Sequence, residues 1–355
     1  MLPSAPWPNL DRRPFGHLPT GEPVEAHTLR NASGASAEVL AYGGIVRSLR
    51  VPDSRGRLRD VVLGFDSLAP YLRCHHYFGA LVGRVAGRIT GGRFMLDGRR
   101  HVLECNDGPN HLHGGWIGFD RRLWSAQPRA GPDGAASLLL RYRSPAGEEG
   151  YPGTLDVSVA YTLSAANVLS VETEAVSDQA TPFSLAQHSY FNLAGDGGSV
   201  ADHELQVLAE DYVPVDETMA LLGRRLPVRG GANDFNLPRR LGDAFGGLAR
   251  GHGELYFIRR GPGSAAAAVA ARLVEPKTGL GLEVRTSESC LQVYTGSALD
   301  VTPAGKSGQP YAAHAGVCLE CHGYPDGANV PELGDIILRP GAPRRSRTEY
   351  AFFAL

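Results

Sequence analysis

Leu155-Asp156-Val157-Ser158-Val159-Ala160-Tyr161-Thr162-Leu163 is the stretch that decides the fold. Leu155, Val157, Val159, Tyr161 and Leu163 recur at spacing two, the period of a strand with one buried face. A Ser164 to Asn167 turn then leads into Leu169, Val171 and Thr173 at the same spacing, so the segment predicts an antiparallel hairpin. Similar short runs occupy Ala37 to Tyr42, Ile45 to Val51, Leu138 to Arg143, Leu205 to Leu208, Leu255 to Ile258, Val269 to Val274, Leu280 to Arg285, Val317 to Glu320 and Ile336 to Leu338. Turn clusters such as Gly131-Pro132-Asp133-Gly134 separate them, and only Ser67 to Leu72 reads as a short helix. Strands this numerous predict an all-β protein, a large antiparallel β-sandwich, and argue against alternating βαβ folds.

Composition agrees with that reading. The 45 Gly and 25 Pro are spread along the chain, as many tight turns require. With 43% hydrophobic and 20% charged residues, 355 residues can bury a large core. The 35 Lys+Arg against 37 Asp+Glu leave a formal charge of −2, so no bulk charge draws the chain to nucleic acid or anionic lipid. Neither a signal-peptide pattern nor an apolar run long enough to span a membrane is present. Cys74, Cys105, Cys290, Cys318 and Cys321 form an odd, sparse set typical of reduced thiols, which makes the cytoplasm the expected compartment. One domain over residues 1–355 is expected, with about the first 20 as an N-terminal extension.

Four polar clusters stand out. In Asn106 to Gly115, His111 and His113 would share a face if the segment is extended, and Gly114-Gly115 would let the backbone approach a ligand closely. A metal would want a third ligand, and a lone His-x-His is weak evidence for one. In Gln187 to Leu193, His188, Tyr190 and Asn192 alternate onto one face, as in the wall of a wet cleft. Gly83 to Ile89 carries Arg84 and Arg88, whose guanidinium forks suit sugar hydroxyls, and Gln292 and Tyr294 add an amide and a phenol on one strand face. Cys318-x-x-Cys321-His322 matches the patterns of c-type haem attachment and of a redox pair, but a strand sends its two thiols to opposite faces. The same strand places Glu320 with Cys318 and His322, next to apolar Val317 and Leu319, where desolvation raises proton affinity and favours a general base.

Six blocks resemble the aldose 1-epimerases, or mutarotases, in order along nearly the whole chain. They are Tyr77-Phe78-Gly79 with Gly83 to Ile89; Asn110 to Gly115 with Gly118-Phe119 and Trp124; His188 to Leu193; Gln292 to Gly296; Cys318-Leu319-Glu320 with Tyr324-Pro325-Asp326 and Asn329; and Leu338-Arg339-Pro340-Gly341. The resemblance implies a galactose mutarotase-like supersandwich with an open sugar-binding cleft, acting on a small-molecule monosaccharide as monomer or homodimer, with no cofactor and no metal. It makes Glu320 the general base and His188 the general acid, with Glu320 ionised and His188 protonated at rest. Arg88, His113, Tyr190, Asn236 and Gln292 are the expected substrate-binding residues.

The sequence departs from the family pattern at several points. Gly87 replaces a common Asn, Asn236 follows Phe235 where a hydroxyl-binding Asp is usual, Glu254-Leu255 replaces an Asp-His pair, and His322 replaces a Gln. An amide at 236 would alter hydroxyl recognition and disfavour galactose and glucose. Two other classes stay open: an idle sugar-binding protein, and a lyase or glycoside hydrolase, for which Glu254 could supply a second carboxylate.

Overall fold

The computed structural model describes residues 10–195, 197–249, 253–260, 267–302, 304–306, 308 and 310–355. The deciding segment forms the hairpin Leu155–Leu163 and Val168–Ser177, paired from Leu155↔Ser177 to Leu163↔Leu169. At the turn, the Ser164 N–H donates to Val168 O, and Asn167 takes a left-handed φ of 59°. This hairpin lies inside a nine-stranded sheet. The sheet's order is Ser125–Ala130, Ala136–Ser144, Leu155–Leu163, Val168–Ser177, Arg344–Ala354, Leu280–Thr286, Ala268–Glu275, Glu204–Val207 and Arg239–Arg240, and each assigned pairing is antiparallel.

A six-stranded sheet runs Tyr190–Phe191, Val317–His322, Cys290–Tyr294, Leu255–Ile258, Ala209–Val213 and Leu226–Pro227. A five-stranded meander covers Leu10–His17 to Leu58–Asp60. Two-residue alternation explains the layering: Val157, Val159 and Tyr161 share one buried cluster with Leu282, Val284 and Tyr350 of the nine-stranded sheet. Leu291, Val293, Val317 and Leu319 of the six-stranded sheet and Val39, Val46 and Leu49 of the meander join the same cluster. The all-β sandwich expected from periodicity is the fold.

Of the expected N-terminal extension, residues 1–9 lie outside the described residues, while Leu10–His17 pairs along Pro23–Arg30. The short helix is Leu68–Arg73, preceded by Ser67 in extended conformation. Cys318 and Cys321 fall on opposite faces of Val317–His322, both buried, and all five cysteines are free thiols. No helix among the described residues is long and apolar enough to cross a membrane.

Candidate active site

The strand Val317–His322 is hydrogen-bonded on both sides and buried along its whole length. Its partners set the site by register, since directly opposed residues of antiparallel strands project from the same face. Glu320 is opposite Gln292, and Cys318 is opposite both Tyr294 and Tyr190. His188 arrives from a neighbouring strand. Ala186–His188 pairs with Ala80–Val82, the pairing partner changes across Ser189, and Tyr190–Phe191 then joins Val317–His322. That change places the His188 ring over Val317–His322, with Nδ1 3.6 Å from Cys318 Sγ and Nε2 3.5 Å from Glu320 Oε1.

Both members of this pair are almost fully buried. Burial pushes the Glu320 carboxyl up to about 8, opposed by the positive charge of Arg88. A resting carboxylate, expected above, is therefore disfavoured at neutral pH, because the apolar strand surroundings remove the water that would stabilise its charge. Glu320 Oε2 is buried and has no hydrogen-bond partner among the described residues.

A cavity of about 190 Å³ opens over the pair. Arg88, His113, His188, Tyr190, Gln292 and Glu320 all line it, together with His75, His76, Tyr77, Tyr294 and His322. Arg88 is held by Asp107, with Nε 2.6 Å from Oδ2. The Gly87 N–H donates to His113 Nδ1 at 3.1 Å, which leaves the proton of a neutral His113 on Nε2. Tyr77 stands edge-on to His113, with ring centroids 4.7 Å apart. Gln292 Nε2 donates to Val293 O. Glu320 is the one carboxylate lining this cavity among the described residues. A larger concavity of about 540 Å³ lies on the outer face of the nine-stranded sheet, among ion pairs such as Arg345–Glu174 and Arg347–Glu172. It holds no acid–base pair of this kind.

Several expectations are corrected by the geometry. His111 and His113 do not share a face, because His113 takes φ 52° and breaks the extended run. His111 is buried against Tyr151, its Nδ1 is 2.7 Å from Glu104 O, and burial holds it down at about 4. Gly114 and Gly115 are needed for packing against protein: a Cβ on Gly114 would lie 1.8 Å from Gly83 O, and one on Gly115 2.1 Å from Glu149 Oε2. Arg84 is buried and donates to Ser144, Thr181 and the carbonyls of Pro145 and Pro152. Asn192 donates to Gly198 O and Ala315 O and stays out of the cleft.

Asn236 does not line the cavity either. Its amide bonds Asp234 Oδ1 and accepts from Arg259, because Asp234 gathers the N–H groups of Gly230 and Asn236 into a local turn that draws the side chain in. The expected effect of Asn236 on sugar choice loses its basis. Glu254 is also off the cavity lining; its Oε1 accepts from the Ala249 N–H and burial pushes it up to about 7. A second carboxylate flanking a glycosidic bond is thus not supplied by Glu254. The cleft residues His75, His76 and Tyr77 are absent from the site residues expected from sequence, although a His-His-Tyr run directly after the short helix is a visible polar signal.

His113, His188 and Glu320 each bring one ligand atom within 4.8 Å of the others. Two imidazoles and a carboxylate so arranged suit a divalent transition metal, an option the His-x-His pattern alone did not reveal.

A sequence profile described as aldose 1-epimerase matches residues 25–351. The chain belongs to the aldose 1-epimerase family. It is 40% identical over 346 residues to a protein named galactose mutarotase from Sus scrofa, covering 97% of this chain and 98% of that one. It is 34% identical to an aldose 1-epimerase of Escherichia coli K12, covering 95% of this chain and 97% of that one. A solved epimerase homologue from C. elegans superposes with a TM-score of 0.85 at 29% identity, covering 92% and 98% of the two chains. A galactose 1-epimerase from Lactobacillus acidophilus gives 0.83 at 28%, covering 97% and 98%. The enzyme is thus an isomerase with the mutarotase-like fold.

Proposed function

We propose that Glu320 and His188 interconvert the α and β anomers of a free aldose by general acid–base ring opening, with Arg88, His113, Tyr190 and Gln292 holding the sugar. The observation that carries this reading is the buried Glu320 Oε2, without a hydrogen-bond partner among the described residues, beside His188 on the wall of the cavity. An orphaned acceptor is costly, and a sugar hydroxyl satisfies it. Carboxylate Glu320 takes the proton of the C1 hydroxyl while imidazolium His188 gives one to the ring oxygen, breaking the bond between C1 and the ring oxygen. The aldehyde turns about the C1–C2 bond, and the ring hydroxyl attacks its other face. His188 takes back the hydroxyl proton as Glu320 returns one to the carbonyl oxygen. The pair regains its starting state.

One proton serves the pair throughout. Burial favours it on Glu320 before sugar binds, and transfer to His188, assisted by Arg88 and the arriving hydroxyls, gives the working ion pair. The relatives named galactose mutarotase support galactose as the first aldose to test. Polarimetry on freshly dissolved α-galactose should show enzyme-accelerated mutarotation, and sugar binding without acceleration would favour the idle binding protein. That Glu320 is the one carboxylate lining the cleft among the described residues disfavours the hydrolase reading. Five free thiols support a reducing, cytoplasmic setting, and the core cluster shared by the three large sheets supports a single domain.

A further inference from the structure

His322 ends the strand that carries Glu320 and is not needed for either proton transfer. Its Nδ1 lies 2.7 Å from Gly323 O. A carbonyl only accepts, so Nδ1 carries the proton and Nε2 presents a lone pair. That Nε2 is buried without a hydrogen-bond partner among the described residues, the side chain is 1% exposed, and the ring lines the cleft cavity. His113 is fixed in the opposite sense by the Gly87 N–H. The cleft therefore offers one imidazole that donates and one that accepts.

Gly87 links the two. It takes φ +78°, and a Cβ there would sit 2.5 Å from Pro325 Cγ and 3.9 Å from His322 Cε1. A side chain at 87 would have to displace Pro325, while its Cβ would only touch the His322 ring.

We propose that His322 Nε2 is a specificity-determining acceptor for a secondary hydroxyl of the bound aldose, at C2 or C3, so that the cleft favours sugars carrying that hydroxyl. The reach follows from the strand. His322 is two residues beyond Glu320 on the same face, about 6.6 Å along the backbone, so with Glu320 at O1 the imidazole faces the next positions along one ring edge. The proposal rests on the reading of Glu320 as the base at C1.

The test compares the parent enzyme with His322→Phe, which keeps a planar ring without the acceptor, and His322→Gln, which restores one. Polarimetric kcat and KM are measured for galactose and its 2-deoxy and 3-deoxy forms. His322→Phe should raise KM for galactose about tenfold while kcat stays within about threefold, the size of one lost hydrogen bond to a neutral acceptor. For one of the two deoxy sugars the parent and His322→Phe should be equal, and His322→Gln should recover most of the loss. An unchanged KM for galactose, or the same loss on all three sugars, overturns the proposal. If His322→Phe does not fold, as judged by circular dichroism, the parent must itself discriminate against one deoxy sugar about tenfold, and a parent indifferent to both overturns it. Calorimetric binding of the same sugars to Glu320→Gln separates the two readings. Failure of the base assignment shows as persisting turnover in that variant, whereas failure of the His322 assignment shows as equal affinities for galactose and both deoxy forms.

Discussion

His188 Nε2 lies 3.5 Å from Glu320 Oε1 in a cleft where both side chains are at most 4% exposed. The two groups are neighbours from different strands, slightly beyond an ideal hydrogen bond, so a sugar oxygen can engage each without breaking a tight ion pair. Glu320→Gln removes the proton acceptor with little change of shape. Mutarotase turnover should fall by roughly 10²-fold or more, with galactose affinity by calorimetry nearly unchanged. Near-normal turnover would rule out Glu320 as the base.

The pH profile should carry the mark of burial. Glu320 is pushed up to about 8 in the free enzyme, and the reaction needs the single proton that it shares with His188. kcat/KM should therefore fall as pH rises through about 8, where that proton is lost and no acid remains for the ring oxygen, with no such limb in the ordinary carboxylate range. Arg88 is the charge pulling the group down, so Arg88→Ala should move this limb to still higher pH as well as raise KM. A limb in the ordinary carboxylate range in the parent, or one that Arg88→Ala leaves in place, would contradict this electrostatic account.

Metal should hinder the reaction. Proton transfer needs only side chains, yet His113, His188 and Glu320 form a three-ligand set. Exhaustive chelation should leave turnover intact, while added zinc should inhibit competitively with sugar and be reversed by chelator. Loss of activity on chelation, restored by zinc, would mean that a metal takes part in the chemistry.

Glu254 provides a stability test away from the cleft. Its folded value is raised from 4.5 to about 7, so the folded state prefers the protonated acid. That contribution is fully present below the unfolded value and is lost as pH rises through about 7. Glu254→Gln should match the parent near pH 4 and exceed it near pH 8 by on the order of 3 kcal/mol, seen as a higher Tm and a flatter Tm against pH. Equal pH dependence in the two proteins would show that the carboxyl finds solvent.

The strands with clear two-residue alternation are legible in the sequence because one of their faces is buried. Leu155–Leu163 and Leu280–Thr286 are examples. Exposed edges give no such signal. Leu10–His17 and Ser125–Ala130 are mostly solvent-facing and fall outside the alternating runs, whereas Arg344–Ala354 hides its period behind four arginine and glutamate side chains although Thr348, Tyr350 and Phe352 mark it. In the site, strand parity correctly groups Cys318, Glu320 and His322, and it fails wherever the backbone leaves the strand. The left-handed turn at His113 separates it from His111, and the local turn around Asp234 withdraws Asn236. Such turns depend on tertiary contacts, for instance Gly114 against Gly83 O, that no local pattern encodes.

The burial of Val317–His322 on both faces also constrains how this enzyme can change over evolutionary time. Deleting or inserting one residue before Glu320 would exchange the two faces, sending the carboxyl toward the apolar neighbours of Val293 and Leu319 and Cys321 toward the sugar. Mutational drift is therefore confined to replacing side chains in place. Glu320 stays locked in the middle of the strand, while the last residue, His322, can be exchanged in place, so new sugar preferences can arise at the strand's end without the chemistry being rebuilt.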